Sequence, residues 1–281
     1  MNIAGVVILY HPDIVQLSDN IQTYLNGLNQ LYVYDNSESK TPGLEEALLK
    51  LHPSIQYHYF NANEGIAKRL NQAIAQATLN QYDFLLTMDQ DSSFKDRDFD
   101  KYKLSIQSSG DINVAQFGVN CQPDFTLPKD EPEEALTLIT SGSILNLSLT
   151  EHIGPFNEDL FIDFVDAEFS YRVIQNGYTN LMFSNIVLNH ALGTLVEGRG
   201  LGNFKKSMRI IHAPTRVFYI VRNGLYLLFK AQGLTSSMKK DVIRCMKILK
   251  NDLIYHPQLT QVYINVMKGI FAFCFNKMGK K

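Results

Sequence analysis

The stretch Phe84-Leu85-Leu86-Thr87-Met88-Asp89-Gln90-Asp91-Ser92-Ser93 decides the fold. An apolar run of strand length stops at two carboxylates spaced i, i+2, so both leave the end of a buried strand on the same side. Paired carboxylates there suit a hard divalent cation, which takes carboxylate oxygens, keeps several waters and completes its shell with substrate phosphates. An isolated Asp-x-Asp also makes a solvated turn, so its weight depends on what surrounds it.

Upstream, Val6 to Tyr10 closes a first strand, and Tyr10-His11-Pro12 turns the chain into a helical stretch from Ile14 to Leu28. Leu31 to Tyr34 reads as a second strand ending at Asp35, and Ile55 to Phe60 as a third ending at Asn61. A helix is expected from Gly65 to Ala77, with Ile66, Leu70 and Ile74 on one face. Four strands alternating with helices predict a parallel sheet with crossover helices and a ligand site at the carboxyl ends of the strands. Asp35, Asn61, Asp89 and Asp91 all fall at such ends. No Gly-x-Gly-x-x-Gly follows the first strand, which disfavours an ordinary dinucleotide fold. Asp35 can accept hydrogen bonds from a base or ribose, or can form a turn with Asn36. Asn63 to Ala67 makes a Gly65-containing helix start open to close ligand approach.

Downstream, Asp124 to Glu134 reads as an exposed loop, and Leu136 to Ile139 and Ser143 to Leu147 as short strands flanking Thr140-Ser141-Gly142. Phe161, Ile162, Val165, Phe169 and Val173 form a helical stripe that places Asp166 near a helix start, where the helix N-terminus favours an ionised carboxylate able to act as a base. From Gly202 the pattern reads as wholly helical and basic, with Arg216, Tyr219 and Arg222/Asn223 on or near one face. Two arginines so placed can clamp a diphosphate, although surface arginines need no such role. Val262 to Phe275 is apolar but only 14 residues long, too short to span a bilayer. With Lys247, Lys250, Lys268, Lys277, Lys280 and Lys281 around it, it suits a helix lying on an anionic membrane surface, and equally a packing or dimerising helix.

With 281 residues, 45% hydrophobic and 11% aromatic, the chain can bury a large core. Its net charge of -2 hides an asymmetry: residues 1–200 hold 11 Lys+Arg against 26 Asp+Glu, whereas 201–281 hold 15 against 2. An acidic first part fits metal chelation and a basic second part fits phosphates, anionic lipid or nucleic acid; mutual attraction within the fold accounts for the same split. Nucleic acid is disfavoured because the first 200 residues would repel a phosphate backbone and the tail has no recognised binding motif. Cys121, Cys245 and Cys274 are far apart and lack metal-ligand spacing, which points to reduced thiols in a cytoplasmic compartment. Met1 to Tyr10 has no basic leader and reads as a strand rather than a secretory signal.

In this order the elements resemble a family 2 glycosyltransferase of the GT-A fold, more closely the bacterial rhamnosyltransferases of O-antigen and capsule synthesis. The resemblance runs from Ile3 to about Leu228. It rests on Val7-Ile8-Leu9-Tyr10-His11-Pro12, Tyr34-Asp35-Asn36-Ser37, Asn61-Ala62-Asn63-Glu64-Gly65-Ile66-Ala67 with Asn71, and Asp89-Gln90-Asp91. It continues through Thr140-Ser141-Gly142, Phe161 to Glu168 with Arg172, Asn189-His190-Ala191-Leu192-Gly193, and His212 through Asn223. It implies an α/β fold, a Rossmann-like nucleotide-diphospho-sugar transferase with a mixed sheet flanked by helices and a helical C-terminal extension. Residues 1–200 would be the catalytic domain; residues 201–281 would complete the donor site and meet a membrane or partner.

The resemblance makes Asp35 the base contact, Asp91 the ligand of a Mg²⁺ or Mn²⁺ that holds the diphosphate, and Asp89 its support toward ribose or sugar. Asp166 becomes the general base, with Tyr10, Asn63, Gly65, Asn71, His190, Arg216 and Arg222 on the donor and Ser141 and Gly142 on the acceptor side. The wider family has Glu-Asp at the base motif where Val165 precedes Asp166 here; the Phe-Ile-Asp-x-Val-Asp form resembles the rhamnosyltransferase branch. The implied activity is inverting transfer of L-rhamnose from dTDP-L-rhamnose to a lipid-linked or polysaccharide acceptor, at the inner face of the cytoplasmic membrane. A UDP-hexose or UDP-N-acetylhexosamine donor, a homo-oligomer, and a non-catalytic polyanion-binding protein stay open as alternatives.

Overall fold

The computed structural model describes residues 1–121, 127–190, 194–199 and 206–281. By internal contacts the chain divides into two compact units: Met1–Glu158 with Asp166–Ala191, and Asp159–Val165 with Leu192–Lys281.

The first unit is built on one mixed sheet. Its strands are β1 (Ile3–Leu9), β2 (Gln30–Asp35), β3 (Ile55–Tyr59), β4 (Phe84–Asp89), β5 (Ser93–Phe94), β6 (Val114–Asn120), β7 (Glu133–Glu134), β8 (Ser143–Asn146) and β9 (Thr179–Asn189). Helices α1 (Ile14–Gln22), α2 (Leu44–Leu51), α3 (Ile66–Leu79), α4 (Asp98–Ser109), α5 (Leu147–Ile153) and α6 (Val165–Gln175) connect them. The spatial order is β3-β2-β1-β4-β8-β6-β9-β5, with β7 also on β9. β1 pairs parallel with β2 and β4, and β2 with β3, whereas β8 runs antiparallel to β4 and β6. The expected parallel half is therefore present, and β8 makes the sheet mixed.

Residue type explains these positions. β1, β2 and β4 are apolar on both faces because helices cover both sides of the parallel strands, and Val6, Val7, Leu31, Val33, Leu85 and Leu86 are fully buried. The edge strand β3 instead alternates Ile55 in, Gln56 out, Tyr57 in, His58 out. Asp13 caps α1 by accepting from Gln16 N–H at 2.9 Å. On α3 the buried face is Ala67, Leu70, Ala73 and Ala77, one step round from the expected Ile66-Leu70-Ile74 stripe, because small residues let the helix lie close to the sheet.

Several expectations are corrected. The helix expected over Ile14 to Leu28 ends at Gln22, and a short 3-10 turn covers Leu25–Gly27. Leu136 to Ile139 is not a strand; Glu133–Glu134 is, on β9. Of the loop read over Asp124 to Glu134, residues 124–126 lie outside the described residues, as do Ala191 to Gly193 of the His190 motif.

In the second unit, Gly202 is outside the described residues, but the chain after it is not wholly helical: β10 (Thr194–Arg199) and β11 (Lys206–Ile211) pair antiparallel. Helices α7 (Pro214–Phe229), α8 (Ser236–Met246), α9 (Leu249–Tyr255) and α10 (Leu259–Cys274) follow. α7 and α10 pack directly: a Cβ on Gly269 would lie 2.8 Å from the backbone oxygen of Phe218, so only glycine permits this crossing. Among the described residues no helix is long and apolar enough to cross a membrane.

Candidate active site

Parallel pairing brings the carboxyl ends of β1 to β4 to one edge: Asp35 lies opposite Leu9 and Tyr59, and Asp89 opposite Ile8. Gln90 ties two of these ends together, accepting from Tyr10 N–H at 2.8 Å and donating to Tyr10 O at 3.2 Å. The Tyr10 ring itself is 48% exposed beside that clamp.

At the end of β4, Asp89 and Asp91 meet His190, which follows the last residue of β9. One ligand atom from each lies within 4.8 Å of the others, and all three side chains are half-buried. Opposite ligands of a Mg²⁺ stand about 4.2 Å apart, so a small side-chain adjustment brings these three to an ion's dimensions. Two carboxylates with one imidazole form a mixed oxygen and nitrogen set that suits Mn²⁺ at least as well as Mg²⁺. His190 Nδ1 lies 3.5 Å from Asp91 Oδ1 and 2.8 Å from the Oγ of Ser92, which is fully buried. Ser92 Oγ also accepts from Ser141 Oγ at 2.8 Å, and Ser141 Oγ accepts from Asp89 N–H at 3.1 Å. Two serine hydroxyls thus connect the backbone of Asp89 to the imidazole of His190 beneath the acidic pair. Ser141 and Gly142 are both buried, so neither presents a surface to an acceptor: Ser141 underpins the end of β4, and a Cβ on Gly142 would meet Val119 at 2.7 Å.

Asp35 is likewise fully buried. It accepts from Ser37 N–H at 3.0 Å and from Tyr57 O–H at 2.7 Å, which fastens the turn after β2 rather than leaving an oxygen open to a base. Burial, with the Asp35 carboxylate next, raises the Tyr57 phenol above its ordinary range and keeps it a donor. The turns after β2 and β3 are joined by Arg69, 0% exposed, which donates to Asn36 Oδ1 at 2.8 Å, Ala62 O at 3.1 Å and Glu64 at 3.0 Å over the face of Phe60. Asn63 Oδ1 accepts from Asn36 and from Gly65 N–H, and Gly65 enters α3 at a φ of 88°, which strains any other residue. Asn71, on α3, holds the segment ahead of Glu158, donating to Phe156 O at 3.0 Å and Glu158 at 2.8 Å and accepting from Phe156 N–H at 2.8 Å.

Asp166 is half-buried in the first turn of α6, its Oδ1 accepting from Ala167 N–H at 2.8 Å. Glu168, two residues on, takes a bidentate ion pair from Arg172 at 2.7 and 2.9 Å, and Arg172 also donates to Ile153 O and Pro155 O. The expected helical stripe starts later than its apolar residues indicate, because Phe161 and Ile162 precede α6 in an irregular loop. There Phe161, Asp163 and Phe164 have φ of 64°, 63° and 63°.

That loop belongs to the second unit, where α7 holds it. Asn223 Nδ2 donates to Leu160 O, Ile162 O and Asp163 O at 2.8 to 2.9 Å, while Arg222 donates to Asp159 O, Leu160 O and Gly279 O. Arg222 is 1% exposed, so the expected two-arginine face is absent: its guanidinium is spent on backbone carbonyls, because burial demands that every donor be satisfied. Arg216 is half-exposed and pairs with Asp163 at 2.6 Å. His212 is buried against Asp252 at 3.0 Å.

Sequence reasoning passed over Ser92 and Arg69. The available signals were weak: a serine next to Asp91, and a lone arginine one position before Leu70 on the buried side of α3.

The mixed sheet flanked by helices is the fold of the GT-A glycosyltransferases. The chain has this fold across 98% of its length when compared with a mannosyltransferase from Pyrobaculum calidifontis solved with GDP-Man and Mn²⁺, at a TM-score of 0.63, 13% identity and 88% coverage of that chain. S. aureus TarS 1-349, solved with UDP-GlcNAc, matches at a TM-score of 0.56 and 14% identity over 97% of this chain and 82% of that one. In sequence the chain is similar to the dTDP-rhamnosyl transferase RfbF of Shigella flexneri, 25% identical over 252 residues that cover 82% of this chain and 80% of the relative. No protein-family model matches. The GT-A fold and the likeness to rhamnosyltransferases expected from the sequence are both found.

Proposed function

We propose that the protein is an inverting glycosyltransferase that moves L-rhamnose from dTDP-L-rhamnose to a lipid-linked or polysaccharide acceptor, as in O-antigen or capsule assembly. The observation that carries this is the Asp89, Asp91 and His190 group at the carboxyl end of β4 in a GT-A sheet. The name of the Shigella relative supports the donor. The Pyrobaculum neighbour, with its Mn²⁺ and nucleotide sugar, supports a divalent ion at this group. Mg²⁺ or Mn²⁺ bound there would neutralise charge on the donor diphosphate.

The chain's own residues then have distinct tasks. Exposed Tyr10 offers a ring face to the donor base, with Asn63 and Gly65 shaping the backbone nearby, while Asp35, Asn71 and Arg222 act through the turns they hold. Asp166 takes the proton of the attacking acceptor hydroxyl, whose own pKa is far too high for attack unaided. A single displacement inverts the anomeric carbon. Arg216 supplies positive charge toward the leaving diphosphate, favouring the transition state in which that charge develops. The second unit, through its basic surface, meets an anionic membrane.

A second donor reading, a UDP-linked hexose or N-acetylhexosamine, is favoured by the UDP-GlcNAc complex of the TarS neighbour. A thermal-shift panel of dTDP, UDP, GDP and their sugars, with and without Mn²⁺ or Mg²⁺, tests both, because a ligand of the native state raises the midpoint. Metal-dependent stabilisation led by dTDP and dTDP-rhamnose is expected. Stabilisation led by UDP sugars replaces the donor, and no shift with any nucleotide removes the enzyme reading.

A further inference from the structure

α10 packs a narrow face of Val262, Asn265, Gly269 and Ala272 inward and leaves a broad apolar face outward. Tyr263, Met267, Phe271 and Phe275 are each more than half exposed on that outer side. Beside Phe271 the close crossing of α7 and α10 opens a cleft of about 530 Å³, walled by Phe218, Met267, Phe271 and Met278 and edged by Lys268, Lys277 and Lys281. Its volume is that of a small-molecule site, roughly 300 to 1,000 Å³.

The side-chain charge at its mouth has one sign. Residues 253–281 contain four lysines and no acidic residue. Among the described residues, Lys268, Lys277 and Lys281 have no carboxylate partner; the Nζ of Lys277 lies over the ring of Phe271 at 5.7 Å, and that of Lys281 donates to Asn265 Oδ1 and lies over the ring of Phe218 at 5.2 Å. Burial lowers the pKa of Lys281, and repulsion from Lys268 lowers it further, so an anion at this mouth would stabilise both charges. A second copy of the chain packed symmetrically here would set these lysines against their equals. An acidic lipid answers both features, with its chain against the aromatic walls and its phosphate at the lysines.

We infer that this cleft is a binding site for an acidic phospholipid of the bilayer surface, which inserts one acyl chain between α7 and α10 and places its phosphate among Lys268, Lys277 and Lys281. This rests on and deepens the membrane part of the reading above, and needs none of its transfer chemistry.

The test uses the full chain labelled with ¹³C-methyl methionine. Monomeric dioctanoyl phosphatidylglycerol should shift the Met267 and Met278 methyl signals and leave Met88, in the core of the first unit, in place. Sedimentation with phosphatidylcholine vesicles containing phosphatidylglycerol should weaken about thirtyfold in Lys268→Gln/Lys277→Gln and stay near wild type in Lys268→Arg/Lys277→Arg. Equal shifts with dioctanoyl phosphatidylcholine, unchanged sedimentation of the glutamine variant, or a concentration-dependent dimer that buries the methionines without lipid would each overturn the site. Asp166→Asn should bind vesicles like wild type, so lipid binding without any nucleotide-induced shift sinks the transferase reading and leaves this one standing.

Discussion

Replacing Asn223 by alanine separates the loop before α6 from the helix that shapes it. The Asn223 amide has two hydrogens for the carbonyls of Leu160, Ile162 and Asp163, which amounts to two full bonds at about 1 kcal/mol each. Its Oδ1 also accepts from the buried, charged Nε of Arg222 at 2.9 Å, adding about 2 kcal/mol. Against this total of about 4 kcal/mol stand three non-glycine residues in the left-handed region, each costing at least about 1 kcal/mol. The loop is therefore held by a small margin, and without Asn223 it should relax, recovering its strain. The net loss is then about 1 kcal/mol, a fall in Tm of roughly 2 to 4 °C. Turnover should fall more than tenfold, because the backbone leading into Asp166 has changed shape. Chymotrypsin reports the loop directly: cleavage after Phe161 or Phe164 should appear in the variant and be absent from wild type. A fall in Tm above about 8 °C with turnover intact, or resistance to chymotrypsin in both proteins, would refute this balance.

Three further outcomes are expected. Asp166→Asn should bind the donor nucleotide as wild type and lose roughly 10² to 10⁴ in turnover; wild-type turnover in this variant removes the base role. Ser92→Ala removes the hydroxyl beside His190 Nδ1 and should raise the Mn²⁺ concentration needed for nucleotide-dependent thermal stabilisation by about 10- to 100-fold, with an unchanged Mn²⁺ requirement as the contrary result. Burial, then the Asp89 charge, pushes the Cys121 thiol up to about 12. Because only the thiolate reacts, native alkylation at pH 8 should label the exposed Cys245 and Cys274 well before the partly buried Cys121; equal labelling rates at all three contradict this placement.

The fold was legible where hydrophobic pattern and burial coincide. β4 announces itself because an apolar strand buried on both faces can end only in residues that leave the sheet, and those residues are Asp89 and Asp91. The edge of polar groups at the ends of β1 to β3 was visible for the same reason, but not which of them stay accessible. Asp35 and Asn63 carry the same chemical groups as a ligand contact whether they face solvent or fasten a turn, and only the packing of Tyr57 and Arg69 decides it. Arg222 shows the same limit. Helical spacing places it on a face with Arg216, yet carbonyls from the distant segment 159–160 and from Gly279 absorb its donors. The pairing of β10 and β11 escaped because the basic, helix-compatible residues after Gly202 hide a short strand, Lys206–Ile211, that ends two residues ahead of α7. Tertiary contact also overrode spacing before α6, where Phe161 and Ile162 continue the apolar stripe while the backbone takes a left-handed path.

The assignment of residues 159–165 to the second unit, with flanks on both sides in the first, bears on how the chain is made. At roughly 5 to 20 residues per second, Asn223 is synthesised about 3 to 13 s after Leu160. For that interval the nascent chain carries Leu160, Ile162 and Asp163 with no helix to hold their backbone carbonyls. The last segment of the first unit to be made, α6 through β9, must dock while the link before it is still unfinished. Synthesis order and folding order are thus interleaved: the segment leading into Asp166 takes its final backbone path only once α7 has been made.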